Sequence, residues 1–384
     1  MISSERAAAY IRLGLVQGTP TSANLGDLDG ARRSYELALS AAQSLLARNA
    51  DDLEARRTEA LAHEKLSDLD VNAGHLTTAV AHAQAALGSW RRVSEKTTDP
   101  IGATLPLVIS HIKLGDMLGN PVFPNRGDTS GAMTAYQNAL RMIQSLPPEA
   151  STNSRVRRYT SILYERIGEI YMVAERNGPA MSAYQSAFDI RQQLLSENPT
   201  NRDALRDMGV AHEKICGMLL ATGEANRALS NCRQAVDLYE RLYSSDRLDA
   251  QALDTVATGH LWMYRVFSAT GKMREAETEL ALSTELLGKV LKLQKDNVQA
   301  RRDFAYNALY SSMLNERVSK QPDLPSRERT ERRRRAVVEY ERGKDLLKAL
   351  EAQGIGTAAD GKLVQETRVL LGGDETKTME VSGP

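Results

Sequence analysis

The sequence predicts an all-α protein, folded as a right-handed superhelical solenoid of about seven helical hairpins. Apolar residues recur at spacings of three and four, as in Val156, Tyr159, Leu163 and Ile167, which is the period of an amphipathic helix. The same apolar columns return every 48 residues, or every 53 where a loop is inserted. Alanine is abundant and aromatic residues make up only 5% of the chain, a composition that favours closely packed helices over a sheet sandwich.

The columns divide each copy of the repeat into two helices. On the first helix a large apolar residue is followed by a mostly small one; the large residues are Leu13, Leu66, Leu114, Ile167, Ile215 and Met263, and their successors are Gly14, Ser67, Gly115, Gly168, Cys216 and Tyr264. A column of alanines marks the second helix: Ala31, Ala79, Ala132, Ala180, Ala228 and Ala276. Because neither helix can bury its apolar face alone, neighbouring pairs have to stack.

A glycine column is predicted to end the first helix of most copies, because only glycine takes the left-handed conformation there without strain. Its members are Gly26, Gly74, Gly127, Gly223 and Gly271. The predicted repeats cover residues 3–52, 53–100, 101–153, 154–201, 202–249, 250–299 and 300–353. A capping helix is predicted over 362–371, and residues 372–384 are predicted to form a disordered tail.

This pattern resembles the tetratricopeptide repeat (TPR), whose consensus places Leu-Gly on the first helix and Ala with an aromatic residue on the second. The period of 48 exceeds the family's about 34 residues, which implies helices longer by roughly two turns each. Two loops share the frame G-x-P-x-x-x-N-x-G-D, in "QGTPTSANLGD" and "GNPVFPNRGD", and the array closes with "ALEAQGIGTAADGKLVQETRVLL". These features resemble the C-terminal repeat region of bacterial eukaryotic-like serine/threonine kinases.

The kinase resemblance implies a sensory or scaffolding role and carries over no catalytic residue. The sequence has no glycine-rich phosphate loop and no H-R-D, D-F-G or A-P-E motif. The formal charge of zero provides no overall attraction for nucleic acid or anionic lipid. Two cysteines favour a reducing compartment, and no signal sequence or long apolar run is expected, so we expect a cytoplasmic protein with no cofactor.

Four histidines, His63, His111, His212 and His260, share a column with Tyr10 and Tyr164. Successive members lie one repeat apart, too far to bind one metal ion, so we interpret them as rings packed between the two helices. His212 and Cys216 lie one turn apart on one helix, and Cys232 occupies the matching column of the next helix. We predict small core residues for both cysteines, with a redox pair or a metal or enzymatic site as alternatives.

The first helices, expected to line the concave face, carry a stripe of acids beside a column of bases. The candidate partner-binding groove comprises Glu64, Lys65, Asp68, Lys113, Asp116, Glu165, Arg166, Glu169, Glu213 and Lys214. These charges either pair along their own helices at a spacing of three or form a groove for a peptide with basic residues. The acids argue against a partner that binds through its C-terminal carboxylate.

The two inserted loops, with Pro20, Asn24, Pro121, Phe123 and Asn125, are candidate contact surfaces, although a plain decorated turn also explains them. The arginine-rich run Arg327–Arg335 offers a nucleic-acid role as an alternative, but interleaved acids favour a solvated helix face. The predicted function is a non-catalytic protein-interaction scaffold or sensory module, with a link to serine/threonine kinase signalling implied by the resemblance.

Overall fold

A computed structural model describes residues 3–18, 25–247 and 249–372, and these residues contain helices and no β-strand. The fifteen α-helices, in chain order, are α1 Ser4–Gln17, α2 Leu28–Leu46, α3 Leu53–Asn72, α4 Leu76–Ser94, α5 Pro100–Gly119, α6 Thr129–Gln144, α7 Ser154–Val173, α8 Asn177–Glu197, α9 Arg202–Ala221, α10 Ala225–Ser245, α11 Ala250–Ala269, α12 Met273–Leu293, α13 Val298–Ser319, α14 Ser326–Ala352 and α15 Ala358–Leu370. A short 3₁₀ turn, Pro148–Thr152, precedes α7.

Consecutive helices pack as pairs, α1 with α2 through α13 with α14, and each pair stacks on the next. We number these pairs as copies one to seven. Contacts also join the first helices of neighbouring copies, α1 to α3, α5 to α7, α9 to α11 and α11 to α13. Grooves of about 430 and 530 Å³ open between the second helices α8 and α10, and α12 and α14. The first helices therefore form the inner wall of a TPR-like helical solenoid, as predicted, whereas the hand of the superhelix and the repeat boundaries stay predictions.

The glycines of the small-residue column allow the two helices of a copy to approach closely. A Cβ atom on Gly115 would lie 2.4 Å from Cε1 of Tyr136, and one on Gly168 would lie 2.7 Å from Cε1 of Tyr184. The tyrosine rings are almost fully buried, so they have no free direction in which to move. An added methyl group at either glycine would thus overpack the hairpin.

The glycine column takes the left-handed backbone in every copy where it occurs, with φ between 75° and 81°. Copy four has Glu175 at this position, with φ of 56°. In copies one and three, the prediction that this glycine ends the first helix is wrong. Helix α1 ends at Gln17 with Gly18 as its cap, and Gly26 directly precedes the Asp27 that caps α2. Helix α5 ends at Gly119, Asn120 caps it, and Gly127 follows the inserted loop, immediately before the Asp128 that caps α6.

The last helix begins earlier than predicted. A capping box at Thr357 and Asp360 starts α15 at Ala358, whereas the capping helix was expected from residue 362. Helix α15 packs on α13 and α14, so it covers the end of the array. Of the predicted tail, residues 373–384 lie outside the described part of the chain.

Two distant turns meet on one rim of the array. The turn between α3 and α4 lies against the segment that follows α14, so that a Cβ on Gly74 would be 1.9 Å from the carbonyl oxygen of Gln353. Gly354 approaches Gly74 in the same way, and both glycines are left-handed. The superhelix therefore winds until copy seven touches copy two.

Within the described residues, α5 alone has the length and mean hydropathy of a membrane span. It contains Pro106, and Lys113 and Asp116 in its C-terminal half lie on the inner wall. It packs between α4 and α6, and 44% of its apolar window is buried.

Candidate functional site

The predicted groove residues meet on the inner wall through a series of ion pairs between helices. In each pair a basic side chain of one first helix contacts an acidic side chain of the preceding first helix, and this pattern occurs three times. We call this series the charge ladder; its pairs are Lys113 Nζ to Asp68 Oδ1 at 2.7 Å, Arg166 Nε to Asp116 Oδ1 at 3.1 Å and Lys214 Nζ to Glu169 Oε1 at 2.7 Å. Pairs at a spacing of three along one helix also occur but are longer, 3.7 Å for Lys65 to Asp68 and 3.4 Å for Arg166 to Glu169.

The centre of the ladder is buried. The Glu165 and Glu169 side chains retain only 7% and 3% exposure. Arg191, from α8, reaches Glu165 at 2.5 Å and is itself buried. Burial alone would raise the pKa of Glu165, but Arg191, Arg166 and Lys214 outweigh it and lower that pKa to about 2. Glu165 is therefore a fixed negative charge within the wall.

Asp116 is a ladder carboxyl whose pKa approaches neutrality. Its burial raises the pKa to about 6, and the attraction of Arg166 and a 2.7 Å hydrogen bond from the Tyr136 hydroxyl offset this only in part. For Lys214, burial acts against the charged form, yet Glu169 and Glu165 outweigh it and raise the pKa. The interior of the wall thus depends on mutual neutralisation between neighbouring helices.

The loop inserted in copy three folds onto this wall. Asn120 is fully buried and its amide donates to Glu169 Oε2 at 2.8 Å and to the Tyr136 hydroxyl at 3.1 Å. The Phe123 ring lies 4.6 Å from the Arg166 guanidinium, a cation–π contact. Asn125 braces the loop by donating to the carbonyls of residues 120 and 123. The loop is therefore part of the wall and covers its centre.

The other loop residues are placed less fully. Pro121 is half-buried beside Asn120 in the loop of copy three. Pro20 and Asn24, predicted contacts in copy one, lie outside the described residues. Whether either loop binds a partner stays a prediction.

The wall is open at its copy-two end. Lys65, Asp68 and Lys113 keep 26%, 29% and 30% of their side-chain surface. Glu64 lies beside them and accepts hydrogen bonds from Trp90 Nε1 at 2.8 Å and from Ser110 at 3.3 Å. This end therefore presents both signs of charge to solvent.

At the copy-six end the ladder changes chemistry. Glu213 accepts a 3.0 Å bond from the Tyr239 hydroxyl, and burial raises its pKa. Trp262 occupies the base column and lies over Gly217, which occupies the acid column. Arg265 stacks on the Trp262 ring at 4.0 Å. An aromatic–glycine contact thus replaces the ion pair where the sequence loses both charges.

Three of the four histidines in the column connect the two helices of single copies. His212 Nδ1 lies 3.0 Å from Asn231 Oδ1, His260 Nδ1 lies 2.7 Å from Glu279 Oε2, and His63 Nδ1 lies 2.9 Å from His82 Nδ1. Each partner lies nineteen residues further along. These rings hold hairpins together, in agreement with a packing role.

The two cysteines differ from their principal prediction. Cys216 and Cys232 are fully buried in core columns, but they form a disulfide between α9 and α10. The bond occupies the place of the glycine–tyrosine contact in copies three and four. A three-ligand site with His212 is wrong, because the sulfurs are bonded to each other and the described residues hold no group of metal-ligating side chains. Disulfides persist in oxidising compartments, so this pair removes one support for a cytoplasmic location.

The arginine-rich run forms the start of α14 and is largely paired. Arg332 contacts Glu277 at 2.6 Å, and Arg334 and Arg335 both bind Glu331. Arg329 donates to three backbone carbonyls of the preceding turn. Arg334 and Arg335 share a single carboxylate and stay more than half exposed, so the pairing of this run is partial.

Sequence reasoning missed the polar residues that reach the wall from second helices and the loop. Arg191 is the clearest case: it lies four residues after Ala187 on the apolar face of α8, where a charged residue signals a buried ion pair. Asn120 gave no comparable signal, because its role depends on the path of the loop.

Comparisons with known proteins add little. No family model matches the chain, and no curated protein does. Among solved structures, BtubC from P. vanneervenii aligns at 15% identity and a TM-score of 0.47, over 67% of this chain and 90% of its own. Yeast Tom70 aligns at 14% identity and a TM-score of 0.44, over 94% of this chain and 64% of Tom70. The apo form of RapI aligns at 11% identity and a TM-score of 0.45, over 96% of this chain and 95% of RapI. None of these similarities assigns a function to this chain.

Proposed function

We propose that the protein is a non-catalytic interaction scaffold that binds a polypeptide along the inner wall. The observation that carries this proposal is the continuous polar surface formed by α3, α5, α7 and α9, which is organised by the charge ladder and partly exposed at one end. Extended or helical segments bind grooves of this kind through side-chain contacts at regular intervals.

The open end of the wall, at α3 and α5, is the proposed contact region. Glu64, Lys65, Asp68 and Lys113 are accessible there, whereas Glu165 and Glu169 are occupied by Arg166, Arg191 and Lys214. The ten predicted groove residues comprise six acids and four bases, so the remaining negative charge is small. A basic side chain of the partner would bind between Glu64 and Asp68, while acidic ones would face Lys65 and Lys113.

A role in serine/threonine kinase signalling is proposed from the resemblance of the two loops and the C-terminal segment. A nucleic-acid role is less well supported, because Glu277 pairs with Arg332, and Arg334 and Arg335 share Glu331. An enzymatic site at the cysteines is not proposed, since both sulfurs are buried and bonded.

The test exchanges the two charges of the accessible ladder pair by combining Asp68→Lys with Lys113→Asp. This exchange keeps an ion pair but reverses its direction. A phage-displayed library of random 12-residue peptides would be selected on the wild type, and the enriched peptides measured against both proteins by fluorescence anisotropy. We expect the exchange to weaken binding at least tenfold, about 1.4 kcal/mol. Reversal of Glu165 or Glu169 is unsuitable, because it would leave buried like charges together.

The matched control exchanges an outer pair on α12, Glu285→Lys with Lys289→Glu, whose side chains are more than half exposed. Circular dichroism would verify that both variants keep the helical fold. Equal affinity of the enriched peptides for wild type and the Asp68/Lys113 exchange would refute binding at the inner wall. A library that yields no enriched peptide would count against the proposal as well.

A further inference from the structure

The outer face of α1 is largely apolar, and none of the residues that the structure describes covers it. Leu13 and Val16 are 47% and 59% exposed, and Leu25, whose backbone N–H bonds the Val16 carbonyl, is 76% exposed. Ala9 and Glu5 lie on the same side of the helix and are exposed too. Helical residues three and four apart share one face, so these side chains form a contiguous patch at the N-terminal edge of the array.

The same columns are buried in the later copies. Equivalents of Leu13 are Leu66, Ile167, Ile215 and Met263, at 2% to 9% exposure, and Leu114, which is half-buried. Equivalents of Val16 are Leu69, Met117, Ile170, Met218 and Val266, at 0% to 8%. In each case the second helix of the preceding copy covers them; Leu66 and Leu69, for example, pack with Tyr35 and Ala38 of α2. The patch on α1 therefore has the shape and composition of an internal stacking surface.

The opposite end of the array is built differently. Helix α15 covers α13 and α14, and its exposed residues include Lys362, Gln365, Glu366 and Arg368 beside a single valine, Val369. A polar outer face of this kind is what a terminal cap requires. Within the described residues, α15 thus offers a polar surface to the outer face of α1, which argues against head-to-tail stacking of two copies of the chain.

The charge ladder points to the same conclusion. Arg12 occupies the base column that Lys113, Arg166 and Lys214 occupy in later copies. Those three each contact an acid of the preceding first helix. Arg12 is exposed, and the described residues provide it with no ion-pair partner. A preceding first helix with a carboxylate in the acid column would form the corresponding ion pair with Arg12.

We propose that the outer face of α1 is a docking surface for a helical hairpin of a partner polypeptide, stacked as the internal copies stack. The second helix of that hairpin would present alanines and an aromatic or leucine against Leu13 and Val16, and its first helix a carboxylate against Arg12. Both helices of copy one contact α3, so an incoming hairpin would contact α1 with both of its own.

A second copy of this chain is a weaker occupant. Helix α1 has 14 residues and is thus about 21 Å long and 10 Å wide. A face-to-face contact through α1 alone would bury far less than the roughly 800 Å² per partner of a stable interface. A hairpin that reaches both the patch and the ladder provides a larger contact.

The test supplies such a hairpin within the full chain. A duplicate of residues 154–202, which contain the hairpin of α7 and α8, would be joined directly before Met1. The duplicated hairpin then precedes Leu13 in the same register in which the original precedes Ile215. Hydrogen exchange by mass spectrometry would be recorded across α1. We expect exchange in α1 to slow at least about tenfold relative to the unextended chain, with a higher Tm. The matched control is the same extension carrying Leu13→Asp and Val16→Asp.

In that control the protection of α1 should be lost, whereas the same two substitutions in the unextended chain should change the Tm little, because both side chains are already exposed. A third arm replaces the duplicated acid equivalent to Glu169 by glutamine, which should remove part of the protection through Arg12. An extension that leaves α1 exchange unchanged would overturn the proposal. A wild-type dimer in sedimentation analysis that dissociates with Leu13→Asp would overturn it too, because the occupant would then be a second copy.

Discussion

The ladder rung between Lys214 and Glu169 offers a quantitative test of how the inner wall is stabilised. The two atoms lie 2.7 Å apart and the side chains are 18% and 3% exposed, so removal of either partner leaves a largely desolvated charge. Loss of one member of a buried pair costs about 3–5 kcal/mol. Glu169 also has Asn120 at 2.8 Å and Arg166 at 3.4 Å, so we expect Lys214→Met to cost about 3 kcal/mol, the lower limit of that range.

A double-mutant cycle separates the pair from its surroundings. Glu169→Gln, Lys214→Met and the double variant would be unfolded in urea, which does not screen charges, with helicity followed by circular dichroism. Because each single variant leaves the other charge without its ladder partner, the double variant should be more stable than the sum of the two losses by at least about 1 kcal/mol. The same cycle on Glu285 and Lys289, an exposed pair on α12, is the control and should show little coupling. Additive losses at Lys214 and Glu169 would refute the ladder as a coupled structure.

Three further outcomes follow from single features of the array. Glu175→Gly should stabilise the chain by about 0.5–1 kcal/mol, because glycine takes the left-handed backbone without strain. The reverse change Gly223→Glu should lower the free energy of unfolding, and equal effects of the two substitutions on that free energy would contradict this reasoning. Reduction of Cys216–Cys232, which closes a short loop, should cost about 3 kcal/mol in urea unfolding, whereas Cys216→Gly with Cys232→Tyr should make stability insensitive to reductant. Burial and the neighbouring acid Asp254 raise the pKa of Asp303 to about 8, so the folded state binds that proton more tightly than the unfolded state and loses stability as pH rises from about 4 to 8. Asp303→Asn should remove this loss, and a Tm difference that does not grow with pH would contradict it.

The helical pairs were predictable because their signal is local and repeated. Spacings of three and four define each helix, and the repeat period aligns columns whose burial is similar from copy to copy. The contact of Gly168 with Tyr184 follows the same logic, since a small residue and a large ring occupy facing columns. Positions that require the left-handed backbone, such as Gly223, were equally predictable from the sequence.

The candidate site was predictable only as a list of charged columns. Its pairing depends on how far one hairpin is displaced relative to the next, and the sequence does not contain that displacement in any single segment. Lys113 therefore had a possible partner on its own helix and in fact contacts Asp68 of the preceding copy. Arg191 and Asn120 enter from a second helix and a loop, so no column analysis of the first helices could include them.

The disulfide shows a different limit. Cys216 and Cys232 occupy columns where copies three and four have glycine and tyrosine, and a small apolar residue satisfies the same space. Proximity of the two columns was predictable, but the oxidation state depends on the surroundings of the molecule. A pattern of apolar positions contains no information about it.

The contact between the Gly74 turn and Gln353 affects how the array can change in evolution. Solenoids usually gain or lose units freely, because each unit meets only its neighbours. Here one additional or one missing hairpin between α4 and α14 would rotate and shift the final turn away from Gly74. The contact can therefore persist only if the number of hairpins in that interval is kept, while units added before α1 would leave it intact. Relatives with variable length should differ at their N-terminal end.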